Sequence, residues 1–547
     1  MHRALFNDDI VSLILENLSL RQRDPASINE FPMRIPTLAS LAITCHALYE
    51  PTMNALWYSH RALAPVLRCL GDCIGERAIT DEDLYTEFAV PSTKLYLRGP
   101  INASHLQAMK KNSLRIHELK VDLMPSSFNG VTDIDPNILL ALRACGDKKL
   151  FPNIQTFDWP LEGVDISSFP PEVTELFLNH NVTSTMVSLP LNNQMISVGL
   201  VRRFSYISPR IRHLYLSFHP FPHEVRLPRA MEIMRHEYIK GLLEGLPYIT
   251  HLTLPVYDVL DLGSVWPVLA NARHLVDLKV ALTFNECSRY AGSTLFTSGL
   301  CFSALQSLEI IVTRPYLLVL LACSSQFPEL NIFRAECKRT VGFDLEHFDI
   351  LDITDALSRR CSRHKLQEIA ISSYLHDYNI SFDRSERFIQ EGRLHRLAIF
   401  NNLLELRLPP WSFLDISEGA LINLVRSWPR IKCISFSSVN QYPPVPTQFT
   451  LQGLLGVTRL CPDLEYFSYH IDGDPIPSMI TTNIPIHTSL KYLGVGKSDH
   501  KVRCAQSVAH FLFKCFPNLE EVAGYRTDWL STVSEVTNDI FNFQSVL

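Results

Sequence analysis

Residues 461–469, Cys461-Pro-Asp-Leu-Glu-Tyr-Phe-Ser-Tyr, recur in near-copies from one end of the chain to the other. Phe516-Pro-Asn-Leu-Glu-Glu-Val, Trp428-Pro-Arg-Ile-Lys-Cys-Ile-Ser-Phe, Phe327-Pro-Glu-Leu-Asn-Ile-Phe and Phe151-Pro-Asn-Ile-Gln-Thr-Phe-Asp-Trp follow the same pattern. A bulky residue and a proline lead to apolar residues at i, i+3 and i+5, the last two spaced as in a strand whose alternate side chains enter a core. One short strand of this kind cannot bury its apolar face, but stacked copies share a continuous core. The pattern therefore predicts a solenoid.

The composition agrees. A chain of 547 residues exceeds one ordinary compact domain. Apolar residues at 46% and charged residues at 19% describe a globular chain with a large core. A formal net charge of -6 gives no electrostatic reason to expect nucleic acid or an anionic membrane as partner. No apolar run reaches the roughly 20 residues that cross a bilayer, and the N-terminus turns acidic at Asp8-Asp9, too early for a signal peptide. The 13 scattered cysteines suit reduced thiols in the cytoplasm or nucleus.

Working outward, the first apolar residue of each unit falls at Ile116, Ile154, Val173, Ile211, Ile249, Leu275, Leu305, Leu330, Leu366, Leu403, Ile431, Leu464, Leu490 and Leu519. The period changes to 3.6 between strands, as in Ala420, Leu421, Leu424, Val425 and Trp428, or Val508, Leu512 and Cys515. Each unit reads as strand, loop, helix and return, and such parallel strands cross over right-handed. Ahead of the repeats, Asn7 or Asp8 caps a helix carrying Ile10, Leu13, Ile14 and Leu18; 20–36 reads as a loop. Thr37 caps a second helix with Leu38, Leu41, Cys45 and Leu48, and Pro51 opens a third with Met53, Leu56 and Trp57. The expected divisions are a helical head at 1–60, a helical linker at 61–92, the solenoid at 93–530, with a first strand at Thr93–Arg98, and a cap or tail at 531–547.

The head resembles an F-box, in the form found in F-box proteins of mushroom-forming fungi. The resemblance is carried by Leu5, Ile10, Ile14 and Leu18, then Leu38, Leu41, Cys45-His46 and Leu48, then Leu56-Trp57. The units that follow resemble long, degenerate leucine-rich repeats, without the family's regular asparagine or cysteine after the strand. The resemblance implies an α/β protein: a three-helix F-box followed by an irregular leucine-rich-repeat horseshoe with a parallel concave sheet. It also implies a substrate receptor of an SCF-type cullin–RING ubiquitin ligase, bound to the Skp adaptor and through it to cullin. Leu5, Ile10, Ile14, Leu18, Leu38, Leu41, Cys45, Leu48 and Trp57 would meet the adaptor. Catalysis would belong to the ligase, this subunit acting by proximity. A helical cap closing the solenoid is the alternative reading of the head, which leaves a stand-alone interaction scaffold.

Residues between the apolar ones face away from the core, and exposed aromatic and arginine side chains are the usual anchors of a protein-binding surface. On that ground Phe177, His213, Tyr215, His251, Arg334, Arg407, Tyr466 and Tyr492 are the candidate substrate-binding residues; long loops folded over the sheet would instead make them core. No cofactor is expected, and no catalytic motif is present. The prolines of His219-Pro-Phe-Pro-His223 rule out a helical zinc pair. Cys69 and Cys73 would share a helical face as buried thiols. The cations of 359–365 suit the end of a helix better than a phosphate site.

Overall fold

The repeated motif is a turn followed by a strand. In the structure, a computed structural model, the Ile154 N–H donates to the Phe151 carbonyl, and the same i+3 bond runs from Leu330 to Phe327, Ile431 to Trp428, Leu464 to Cys461 and Leu519 to Phe516. Proline at the second position presets the backbone for such a turn. The residue that opens the turn is buried in all five copies, as is the anchor that closes it. The structure describes residues 11, 15, 31–44, 46–60, 63–78, 93–120, 132–146, 150–159, 173, 176–189, 206–218, 240–256, 259–282, 299–312, 325–338, 350–374, 388–390, 394–408, 413–436, 449–472, 486–496 and 505–524. They form a mixed α/β protein with two compact units, Met1–Leu254 and Pro255–Leu547.

Unit 1 begins with helices α1 (Phe31–Thr44) and α2 (His46–Tyr58), which run into β1 (Ser59–His60) and then α3 (Ala64–Arg68). Next come β2 (Ile74–Ala78), β3 (Thr93–Leu97), α4 (Ala103–Ser113), β4 (Glu118–Lys120), β5 (Thr132–Ile134) and α5 (Pro136–Ala144). The remaining strands are β6 (Thr156–Trp159), β7 (Ser184–Leu189), β8 (His213–Phe218) and β9 (His251–Val256). A parallel sheet in the order β1-β4-β6-β7-β8-β9 follows the chain, as stacked repeats require. A smaller sheet, β2-β3-β5, pairs β2 and β3 antiparallel.

Unit 2 holds α6 (Val259–Ala270), β10 (Asp277–Leu282), β11 (Leu300–Cys301), β12 (Ser307–Val312), β13 (Ser325–Gln326) and β14 (Ile332–Lys338). It continues with α7 (Ile350–Arg360), β15 (Glu368–Tyr374), β16 (Phe388–Gln390), β17 (Glu405–Arg407), β18 (Phe413–Asp415), α8 (Glu418–Val425) and β19 (Cys433–Ser435). Last are α9 (Leu451–Leu460), β20 (Tyr466–Ser468), β21 (Tyr492–Gly496), α10 (Ala505–Cys515) and β22 (Glu521–Gly524). Its main sheet, β10-β12-β14-β15-β17-β19-β20-β21-β22, is parallel throughout.

Local chemistry starts the helices where it should. The Asn102 side chain accepts from the His105 N–H at α4, Ser417 from Ala420 at α8, and Thr450 from Gly453 at α9. At α5, Asp135 caps and Pro136 takes the first position. Gly453 is required where α9 meets α8: a Cβ there would lie 2.6 Å from the Glu418 carboxyl. That carboxyl accepts from the Thr450 N–H at 3.1 Å and from its hydroxyl at 2.7 Å.

Units are also tied together ahead of their strands. The carbonyl of His117 accepts from both Gln155 and Thr156, and the arrangement recurs down to Lys491, which accepts from Glu520 and Glu521. Where the turn reads Pro-Asn, the asparagine adds a rung. Asn153 donates to the Leu114 carbonyl at 2.6 Å and Asn518 to Thr488 at 2.8 Å; Asn402 does the same to His364 at 2.9 Å. The repeats thus have an asparagine, before the strand rather than after it.

Several expectations need correction. Helix α1 starts at Phe31, so 31–36 is not a loop and Thr37 is no cap, and Pro51 sits inside α2 rather than at its start. A proline inside a helix leaves one carbonyl without its donor, here that of Ala47, which is exposed. The region 61–92 is not purely helical, since α3 is one short turn followed by β2. Thr93–Leu97 is a strand, as expected, but of the small sheet. The unit placed at Val173 has its strand at Ser184–Leu189, anchored by Val182.

Candidate protein-binding face

Along each strand the inward residues fill the core: Phe157, Leu214, Leu278, Leu308, Phe333, Ile369, Leu406, Ile434, Phe467 and Leu493 are all buried. Their neighbours face the other way, and parallel register brings them into rows. In unit 1, Ser184, His213 and His251 form one row and Met186, Tyr215 and Thr253 the next. The His213 and His251 rings meet edge-on at 4.3 Å. Met186 and Tyr215 are 37% and 40% exposed, a pair of large apolar groups open to solvent.

In unit 2 the face is charged and aromatic. Lys279 reaches Glu309 at 2.6 Å, and Arg334 grips Glu368 through two bonds of 2.5 and 2.9 Å. The Glu368 carboxylate holds the Arg334 guanidinium still more firmly protonated than usual. Arg407 donates to Glu405 at 2.5 Å and lies 5.3 Å over the Tyr466 ring. Tyr466 in turn stacks on Tyr492, with centroids 4.2 Å apart and planes within 4°. Partial burial raises the Tyr492 phenol above its ordinary pKa, with the Tyr466 hydroxyl adding to the shift, so it is a neutral group at any physiological pH. A cation on β17, reaching across β19, and two stacked rings on β20 and β21 thus stand in line on one face.

Of the eight residues expected on this face, the structure brings seven to outward positions; Phe177 is the exception. It is buried between Phe151, at 5.0 Å, and Phe157, at 5.1 Å, because its segment forms no strand and turns inward. Ser468 points outward by register yet is buried beside Gly494, where a Cβ would come within 2.3 Å of its hydroxyl.

The head has a different character from that expected. Leu38 and Leu48 are buried with Val11 and Leu15 in the head's own core, with Leu41, Ala55 and Leu56 packed against it. Of the residues that the resemblance assigns to the adaptor, Leu38 and Leu48 are thus packed between the head's own helices. Leu5, Ile10, Ile14, Leu18 and Cys45 lie outside the described residues. Ile43, which is not among the residues expected to meet the adaptor, is 85% exposed on α1. Its signal was present: it falls between the core positions Leu38, Leu41 and Leu48.

At the head's end Trp57 is half-buried against His60, with rings 4.8 Å apart. Among the described residues, the Thr52 hydroxyl, the Trp57 indole N–H and His60 Nε2 are buried and find no hydrogen-bond partner. Burial lowers the His60 pKa to about 4. The unfolded chain therefore takes up this proton near pH 6.5 while the folded one does not, and stability falls as pH drops from 6.5 towards 4. We expect the melting temperature to fall over that window, by a slope on the order of 1.4 kcal/mol per pH unit, and His60→Gln to flatten the profile. An unchanged profile in the variant would remove His60 as the cause.

Cys69 caps the end of α3 and Cys73 lies in the following turn, so they do not share a helical face. Burial pushes Cys337, Cys361, Cys433 and Cys461 up to about 12 and Cys515 to about 11, which keeps these thiols protonated and unreactive. Among the described residues no group of three His, Cys, Asp or Glu side chains is placed to hold a metal ion; 219–223 lies outside them. Arg359 pairs with Asp355 and Lys365 with Glu329, so two cations of the 359–365 run are occupied. Among the described residues no helix is long and apolar enough to cross a membrane.

The fold and face define a parallel α/β repeat protein. No protein-family model and no curated protein matches the chain. Among solved structures it is similar to the crystal structure of the Rad7 and Elc1 complex in yeast, at 13% identity and a TM-score of 0.31, over 65% of this chain and 79% of that one. A likeness of that size carries no argument about function.

Proposed function

We propose that the chain is the substrate-recognition subunit of an SCF-type cullin–RING ubiquitin ligase, its repeats being degenerate leucine-rich repeats that hold a protein substrate. The observation that carries the binding half is the line Arg407–Tyr466–Tyr492: half-exposed aromatic and arginine side chains, held on β17, β20 and β21 of one sheet, are what protein interfaces use as anchors. The adaptor half rests on the F-box resemblance of the head and on Ile43, a large apolar side chain left in water on a short helix. Co-expression with a Skp adaptor should give a stoichiometric complex on size exclusion. A soluble monomer that ignores the adaptor would overturn the ligase reading and leave the repeat face.

One observation favours a second reading, a stand-alone scaffold whose helical head is a cap. Strand β1 continues directly from α2 and pairs with β4, and Tyr58 stacks on His117 at 4.8 Å. Arg115 bonds to Glu50 at 2.5 Å and to Asn54 at 2.9 Å. The head is thereby part of the first repeat, as a cap must be, although nothing in that attachment covers Ile43.

A further inference from the structure

Arg407 covers one end of the tyrosine stack, and among the described residues no ring or cation lies over the other. The next residue in the row after Tyr492 is Glu521, exposed on β22. Elsewhere on the face Lys279, Arg334 and Arg407 each bond to a glutamate of the same face. All three cations are therefore engaged. Among the described residues, Glu521 and Asp277, at the two ends of the row, bond to no cation, so the outward positions carry surplus carboxylate.

We propose that the strand face of unit 2 docks a basic segment of its protein partner, seating an arginine or lysine side chain against the Tyr492 ring and the Glu521 carboxylate. The inference rests on the protein-binding reading above and adds the chemistry of the partner. A tyrosine face attracts a cation through its ring quadrupole, and an adjacent carboxylate adds to the attraction. The chain already makes that contact itself at the opposite end of the stack, where the Arg407 guanidinium lies over Tyr466 beside Glu405. A partner's cation at Tyr492 would repeat it, giving an alternating series of cation, ring, ring and cation. An acidic partner would meet Glu521 and Asp277 with no free cation to offset them, and like charges at an interface exclude wrong partners.

The test uses the full chain and two fluorescein-labelled probes, a short Arg-Gly-Ser repeat peptide and its Glu-Gly-Ser counterpart, read by anisotropy at low and at physiological salt. The basic peptide should bind more tightly, and more tightly at low salt. Glu521→Gln and Tyr492→Leu should each weaken it about threefold to tenfold, whereas Glu244→Gln, an exposed carboxylate of unit 1, should change nothing. Equal affinity for the two peptides, or an unaltered affinity in Glu521→Gln, overturns the inference. If the acidic peptide binds instead and Arg407→Gln weakens it, the face binds protein but prefers the opposite charge. If neither peptide binds, the protein-binding reading fails with it.

Discussion

Leu48→Glu unfolds the helical head, and does not simply detach a partner from it. Leu48 is 7% exposed and meets Val11, Leu15 and Leu38 across the head's small core. A glutamate there must either bury an unpaired carboxylate or pull α2 away from α1, at a cost of about 3–5 kcal/mol. A core with so few buried residues has little stability to spare. Ile43→Glu is the informative contrast. Its side chain is already in water, so its effect on stability stays within about 0.5 kcal/mol, yet it places a charge in the centre of any apolar docking surface on α1. Hydrogen exchange should show α1 and α2 unprotected in Leu48→Glu and protected in Ile43→Glu. Capture by a Skp adaptor should be lost in both. If Ile43→Glu still binds the adaptor at wild-type strength, α1 is not the docking helix. If Leu48→Glu keeps its protection, the head core is not what holds the helices.

That pair shows where the sequence was legible. The five near-copies of the turn-and-strand motif repeat one demand: a buried opener, a proline-set turn and two inward apolar residues. It therefore located most strands to within a residue. The strand at 184–189 escaped because its inward position is Thr185, buried and donating to the Phe157 carbonyl at 2.6 Å, where other units carry leucine, isoleucine or phenylalanine. With that apolar signal missing, the i, i+3 and i+5 spacing of Val173, Leu176 and Leu178 looked like the strand instead. The head was misread for a related reason. Amphipathic spacing says which residues share a face, but not whether that face turns towards the protein's own helices or a partner. Leu38, on α1, and Leu48, on α2, meet in the head's own core, and Ile43 stands off it. On the sheet the alternate residues could be assigned outward because the inward set was unambiguous. The pairing of each cation with a glutamate was not legible, since it depends on which strands become neighbours.

Trp428→Ala should destabilise unit 2 by about 3–5 kcal/mol and spread its effect to both neighbours. The indole is fully buried at the opening of its turn and donates to the Leu397 carbonyl of the preceding unit at 3.2 Å. Its own carbonyl accepts from Ile431, the bond that sets the entry to β19. Truncation leaves a cavity and removes one of the two donors to the Leu397 carbonyl, which keeps its bond from the Phe400 N–H, so the cavity carries most of the cost. Repeats communicate through nearest neighbours, so protection against hydrogen exchange should fall first in β17, β19 and β20 and persist in β12 and β14. Trp428→Phe, which keeps most of the volume but not the N–H, should lose only about 0.5–1.5 kcal/mol, because the Leu397 carbonyl keeps its bond from the Phe400 N–H. Denaturant titration of both variants measures the difference. The functional consequence follows from position: Arg407 is on β17 and Tyr466 on β20, the strands on either side of β19. Their contact spans the unit that Trp428 anchors, so loosening that unit separates the guanidinium from the ring. A Trp428→Ala protein that kept full protection in β19 and its neighbours would mean that the stack is held by the sheet alone, and that the turn motif sets strand position without supporting the face.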